Sequence, residues 1–153
     1  MKPQKRHKAL QPLSREHHHG LLLAWKIRAG LDKNVSPNQM QDYALWFYKT
    51  HLIPHFDIEE SHVFNILGND HRLIKKALDE HKQIIELFQE LEIKPDTIIL
   101  NTIANTLDNH IRFEERVLFP KIQNVATEEQ YNAIERVHHS VVFVDNYKDE
   151  FWK

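Results

Sequence analysis

Two segments of this chain share one pattern. His55-Phe-Asp-Ile-Glu59-Glu60 matches His110-Ile-Arg-Phe-Glu114-Glu115, and each is followed by a Val-Phe or Leu-Phe pair, Val63-Phe64 and Leu118-Phe119. Both lie in stretches whose apolar residues recur at spacings of three and four, the period of an amphipathic helix. One stripe runs Leu45, Tyr48, Leu52, His55, Glu59, His62, Ile66, and the other Ile103, Leu107, His110, Glu114, Val117. A further stripe, Ile74, Ala77, His81, Ile84, Phe88, Leu91, carries a histidine in the same way. Ionisable side chains therefore stand on the seams by which helices pack. Burying a carboxylate without a partner costs several kcal/mol. Any fold open to this chain has to bring compensating groups to those positions.

Punctuation divides the chain into five helical stretches. The first runs from about Ser14, an N-cap residue type, to Gly30 or Leu31, ended by a polar link containing Ser36-Pro37. The second runs from about Asn38 to Leu67 and stops at Gly68-Asn69-Asp70, a turn signal. The third covers about His71 to Glu92. Lys94-Pro95-Asp96 breaks it, and the fourth continues from Asp96 or Thr97 to about Pro120. Thr127-Glu128-Glu129 opens a fifth that carries to near residue 150. Four long amphipathic helices with short links predict an all-α, up-down-up-down four-helix bundle with an additional C-terminal helix. The whole chain, 1–153, is expected to form one domain, its core bundle at about 13–122 and its last helix at about 127–150. Ile134, Val137, Val141, Val144 and Tyr147 give that helix an apolar face, expected to pack outside the bundle or to pair with a second copy as a homodimer.

Composition narrows the function classes. With 41% hydrophobic and 27% charged residues the chain is an ordinary globular mixture. A net charge of −2 gives no electrostatic footprint for nucleic acid. The absence of cysteine excludes disulfides, Fe–S clusters and thiolate zinc sites. No stretch approaches the ~18 apolar residues of a membrane span. The basic segment Met1–Leu13 also lacks an apolar run of signal-peptide length, so a cytoplasmic protein is expected.

Twelve histidines remain to be explained. His-x-x-x-Glu places an imidazole and a carboxylate on one helix face with Cβ atoms ~5–6 Å apart, within reach of one ion. One such pair is common and usually means only an ion pair. Two in matching context, with His81 on a third seam, point to a metal centre inside the bundle. Nitrogen and oxygen donors without sulfur suit iron, manganese or zinc. A histidine from each of the two other helices would complete four His and two Glu. That is too many for one tetrahedral ion and suits two ions sharing both carboxylates. In the first helix both His17 and His18 lie next to apolar stripes.

Leu13-Ser-Arg-Glu-His17, His55-Phe-Asp-Ile-Glu59-Glu60, Glu80-His81 and His110-Ile-Arg-Phe-Glu114-Glu115 with Leu118-Phe119-Pro120 together resemble the hemerythrin-like, or HHE cation-binding, family. The resemblance covers Leu13 to about Ile122. It implies a four-helix bundle around a non-haem di-iron centre, with His17, His55, Glu59, His81, His110 and Glu114 as ligands and Glu59 and Glu114 bridging. Zinc or manganese would be accepted by the same donors. The oxygen-carrying members have a His-x-x-x-His pair on the third helix, whereas Ala77 and Ile85 flank His81 here. Four histidines leave an additional open position. That favours sensing of O2, peroxide or NO, or iron handling, over reversible carriage. The carriers' spacing in the fourth helix would select Glu115, while the seam and the parallel with Glu59 select Glu114.

A binding or sensing protein for a diatomic or peroxide ligand is the leading expectation. A di-iron oxidoreductase acting on peroxide, NO or ferrous iron, or a structural module with zinc or no metal, are the alternatives. His51, one turn before His55, could serve as a supporting donor or a fifth ligand, although Pro54 removes a backbone hydrogen bond there and argues against it. His62 lies at the site's edge, and His19, His138 and His139 are expected at the surface. Glu59-x-x-His62 and Glu135-x-x-His138 also fit the spacing of ferritin-like di-iron proteins. Trp25, Trp46, Phe47, Tyr48 and Phe88 are expected as core aromatics, and Tyr48 could reach the centre.

Overall fold

The computed structural model describes residues 5–138, 143–146 and 149–153. Helix α1 spans Gln11–Asp32. Helix α2, residues 37–66, is one rod assembled from Pro37–Phe47, Tyr48–Leu52, Ile53–Ile58, Glu59–Val63 and Phe64–Ile66. Helix α3 spans Arg72–Ile93. Helix α4, residues 97–125, joins Thr97–Phe113, Glu114–Leu118 and Phe119–Val125. A short α5 spans Glu128–Val137. The links between the four long helices are too short for anything but antiparallel neighbours. Accordingly α1 packs on α2 and α4, and α3 packs on α2 and α4. The all-α four-helix bundle with an additional helix is the fold observed.

Local chemistry explains most of the boundaries. Gly68 turns the chain with φ +91, a backbone region that favours glycine. Asp96 and Thr127 cap α4 and α5 by accepting from the backbone N–H groups of Ile98 and Gln130. His71 does the same for α3 through Nδ1, accepting from Leu73. Ser14 is not a cap. The first helix begins at Gln11, with a proline in its first turn, and the Ser14 hydroxyl donates instead to Glu115 at 2.8 Å.

Two prolines that would stop an ordinary α-helix are carried inside the rods. Pro54 and Pro120 lack the N–H that an interior position requires, and each ring would meet the carbonyl four residues back. Directly before each, the helix widens by one residue. The Ile53 N–H bonds to Tyr48 O and the Phe119 N–H to Glu114 O, both five residues back. This is why α4 runs past Pro120 to Val125, further than the sequence pattern predicted. A third widened turn has Phe64 bonded to Glu59 O. Each inserted residue also shifts the seam. Beyond Glu59 the buried residues are Val63 and Phe64 rather than His62 and Ile66. Beyond Glu114 it is Leu118 that is buried, while Val117 is 46% exposed.

The last helix is shorter than the 127–150 expected and ends at Val137. Tyr131 and Ile134 are buried against the bundle, while Val137 and Val144 are exposed. Residues 143–146 and 149–153 are not helical. They pack over the opposite end of α1 and α2, where Phe151 and Trp152 enter the core and the Lys26 ammonium lies 4.0 Å from the Trp152 ring centre. His139, Val141 and Tyr147 lie outside the described residues. Trp25, expected in the core, is 55% exposed.

The interior has two apolar clusters. One holds Leu23, Ile27, Phe47, Phe56, Phe88 and Leu107 with the C-terminal aromatics. The other holds Leu10, Leu13, Phe64, Ile74, Phe119, Ile122 and Ile134. Between them lies a polar layer. No helix among the described residues is long and apolar enough to cross a membrane.

Candidate metal centre

The polar layer consists of His17, His55, Glu59, His81, His110 and Glu114, all buried, with both carboxylates fully shielded from solvent. These are the six residues singled out from the sequence, and the fold brings them together. One group of donor atoms comes from His17, His55, Glu59 and Glu114, and a second from Glu59, His81, His110 and Glu114. Within each group all four atoms lie within 4.8 Å of one another. Glu59 and Glu114 belong to both groups. The arrangement is a pair of overlapping four-donor sites related by the sequence repeat.

Each imidazole directs Nε2 inward and Nδ1 outward. His17 Nε2 is 2.9 Å from Glu114 Oε1 and 3.1 Å from His55 Nε2. His55 Nε2 and His81 Nε2 stand 3.2 and 3.1 Å from the Glu59 carboxylate. His110 Nε2 lies 3.5 Å from Glu114 Oε2. On the outer side a carboxylate accepts from every Nδ1. Glu115 holds His17 at 2.6 Å, Glu16 holds His55 at 2.7 Å, Glu60 holds His81 at 2.8 Å and Glu80 holds His110 at 2.7 Å. A carboxylate on the outer nitrogen fixes which ring nitrogen keeps its proton and raises the basicity of the inner one, the usual support for a histidine ligand.

Sequence reasoning found the inner six and missed the outer role of these four, having weighed Glu115 only as an alternative to Glu114. The signal was present in the adjoining pairs Glu16-His17, Glu80-His81, Glu59-Glu60 and Glu114-Glu115. The second glutamate of each His-x-x-x-Glu-Glu run serves a histidine on a neighbouring helix rather than its own. Glu115 takes that outer role and Glu114 the inner one. The other described histidines fall outside the cluster. His18 is exposed and His62 half-buried. His138, expected at the surface, has Nε2 3.1 Å from Glu16 Oε2, and His19 is half-buried against Phe143 at 3.9 Å between ring centres. His51 lines a neighbouring cavity. Tyr48 stacks on Phe88, with ring centres 4.5 Å apart. Of the two Glu-x-x-His pairs of the ferritin-like alternative only Glu59 enters the cluster, and His62, Glu135 and His138 stay outside it.

Charge is balanced only by close pairing. Burial works against the Glu59 carboxylate, yet the His55 charge and hydrogen bonds from His17, His55 and His81 hold it well below its ordinary 4.5. Burial and the neighbouring Glu59 charge push Glu114 up. Burial also opposes charging of the histidines, but the Glu59 charge and the Glu16 and Glu59 hydrogen bonds lift His55 to about 9. Hydrogen bonds to Glu59 and Glu60 lift His81 to about 9 against the same opposition. Several donors remain unsatisfied all the same. Both oxygens of Glu59, Glu114 Oε2, His81 Nε2 and His110 Nε2 are buried and make no well-aligned hydrogen bond among the described residues, only contacts of 3.1–3.8 Å within the cluster. Orphaned polar atoms converging on one point are rare in folded proteins, and they are what an ion would satisfy.

The two sites differ in their surroundings. His81 is closed in by Phe56 at 3.8 Å and Phe64 at 5.3 Å between ring centres. A cavity of about 360 Å³ opens beside His17, His55 and His110 instead. Comparison with known proteins agrees with this geometry. A family model described as Hemerythrin HHE cation binding domain matches residues 8–122. No curated protein and no solved structure matches the chain.

Proposed function

The chain belongs to the hemerythrin HHE cation-binding domain family, and on that premise we propose that it holds two non-haem iron ions and binds or senses O2 or a related small oxidant such as NO or peroxide. His17 and His55 hold one ion, His81 and His110 the other, and Glu59 and Glu114 are shared by both. The observation that carries this reading is the convergence of two overlapping four-donor groups, all nitrogen and oxygen and all buried, in which Glu59, His81 and His110 turn inward atoms that make no well-aligned hydrogen bond among the described residues. Such a donor set suits iron, with zinc and manganese as competitors. Bound iron would supply a redox-active pair with positions open to a small ligand. The protein's part is to orient the rings through Glu16, Glu60, Glu80 and Glu115, to exclude bulk water, and to leave an approach beside His55.

Elemental analysis of protein prepared in iron-supplemented medium tests the assignment. About two irons per chain are expected, with near-ultraviolet charge-transfer absorption that develops when the reduced form meets O2. Glu59→Ala should remove both ions together, because Glu59 faces both groups. Near-zero iron in the parent protein, one zinc, or an unchanged spectrum in Glu59→Ala would overturn the reading.

A further inference from the structure

The cavity beside His55 is far larger than a diatomic molecule requires. It measures about 360 Å³ and lies between α1, α2 and α4, with Phe143 on its wall. A dry cavity of ~150 Å³ already accommodates benzene. Pockets of ~300–1,000 Å³ with mainly apolar walls and a few polar groups are the usual seats of small organic ligands. This cavity has that make-up. Phe47, Leu52, Phe56, Leu107, Ile111 and Phe143 supply its apolar surface, and His17, His55 and His110 close it on the side of the metal centre.

His51 supplies the polar function. Its ring lies in the cavity wall, with the centres of Phe143, Trp46 and Phe47 at 4.7, 5.2 and 5.5 Å. Its Nε2 is shielded from solvent and has no hydrogen-bond partner among the described residues. A buried imidazole nitrogen left this way costs free energy that a ligand hydroxyl would recover. Burial also keeps the His51 ring below its ordinary value, and a neutral imidazole offers one donor and one acceptor. A hydroxyl group matches either tautomer, since it both donates and accepts. A carboxylate matches only one, and Arg15 and Glu16 on the same wall together give it no net electrostatic gain.

We propose that this cavity binds a neutral organic molecule with an aromatic ring and a hydroxyl group, the ring against Phe47 and Phe143 and the hydroxyl on His51. Part of the wall comes from outside the matched region. Phe143 lies beyond residue 122, where the family match ends. The segment is pinned close by, where Asp145 accepts from Lys26 Nζ at 2.7 Å and from the Tyr43 hydroxyl. The site does not depend on which metal the centre holds, so it can be tested with metal-free and metal-loaded protein alike.

The test is calorimetric titration of the full chain with 4-ethylphenol and with 4-ethyltoluene, which replaces the hydroxyl by a methyl group of similar size. One molecule of 4-ethylphenol should bind per chain, about ten-fold more tightly than 4-ethyltoluene, the factor expected for one net hydrogen bond. His51→Phe should erase that preference while still binding 4-ethyltoluene. His51→Gln, which keeps a hydrogen-bonding group, should retain a preference and serves if the phenylalanine variant does not fold. Binding of neither probe to the parent protein, equal affinity for both, or an undiminished preference in folded His51→Phe would overturn the proposal.

Discussion

The two halves of the metal centre are made of the same parts and differ in how far their histidines are enclosed. In one, His17 and His55 border a cavity of about 360 Å³. In the other, His110 also reaches that cavity, but His81 is 1% exposed and lies between Phe56 and Phe64. The repeat His-x-x-x-Glu-Glu supplies identical donors to each half, and the neighbouring aromatics decide which half a small molecule can approach. Donor identity and access are thus specified separately, the first by a local motif and the second by packing between distant segments. On the proposed assignment, ligand chemistry belongs to the His55 half, and the His81 half anchors the centre.

The largest expected effect is of pH, and it asks whether the halves load together. His55 and His81, one from each half, both stand at about 9, against an ordinary 6.5. Their protonated forms stabilise the metal-free fold fully below about pH 6.5, and that contribution is lost as pH rises through about 9. Glu59, held below 4.5, contributes in the opposite sense, its stabilisation present above that value and lost as pH falls. Metal competes with the histidine protons. Affinity should therefore climb by about ten-fold per pH unit for each proton displaced, between pH 6.5 and 9. Because both halves share that window, occupancy should rise from none to two ions without a plateau at one. A plateau in metal titrations at fixed pH values would separate the halves.

Removing a histidine from each half should reveal the difference in packing. Breaking a buried, hydrogen-bonded ion pair costs about 3–5 kcal/mol, and both His55→Ala and His81→Ala do so in metal-free protein. His81→Ala also leaves a void between Phe56 and Phe64, whereas the space left by His55 merges with an existing cavity. A further 1–2 kcal/mol, roughly, is expected for His81→Ala from the lost packing, measured by urea unfolding in the presence of chelator. Equal losses would mean that the aromatic enclosure of His81 carries no packing energy.

How the sequence reveals such a centre follows from the same division. The helices, their antiparallel order and the six converging residues were legible because each depends on local period and spacing. His55 and Glu59 are four residues apart, and a helix alone sets them on one face. The outer carboxylates were not legible, since Glu60 serves His81 and Glu115 serves His17 across helix boundaries. The seam slipped where the widened turns insert a residue, so Val117 was expected inside and Leu118 is found there. The end of α5 at Val137 was missed for a related reason. Val144 continues a helical apolar period by sequence, but residues 143–146 instead lie along the bundle, held by Lys26 and Tyr43. Contacts between residues more than a hundred positions apart leave no periodic trace.

The outer carboxylates give a smaller and graded prediction. Loss of such a partner commonly weakens metal affinity by about 10–100-fold. Glu115 is itself held by the Ser14 hydroxyl at 2.8 Å and lies 3.4 Å from the Arg6 guanidinium, and its side chain is 29% exposed. The Glu60 side chain is 42% exposed. Glu115→Gln should fall at the upper end of that range and Glu60→Gln at the lower, as read by competition with a chelator of known affinity. The reverse order would indicate that enclosure by Phe56 and Phe64 leaves His81 more dependent on its carboxylate than His17 is.

The smallest effect concerns the cavity alone. Gly20 lies where α1 approaches α4, and a Cβ there would stand 2.6 Å from Ile111 Cδ1. That methyl is the free end of a flexible side chain, and both residues line the cavity, so there is space for it to turn inward. Gly20→Ala therefore gains up to about 1 kcal/mol of helix propensity and gives back a similar amount in the rotation of Ile111. Net stability should change by less than about 1 kcal/mol in thermal unfolding, while the cavity narrows. Metal stoichiometry should stay at two, because no donor moves, and 4-ethylphenol should bind more weakly as the ring loses room. If Gly20→Ala instead lowered metal content, the cavity wall and the donors would be mechanically one unit, and the separation between access and coordination would fail at its most sensitive point.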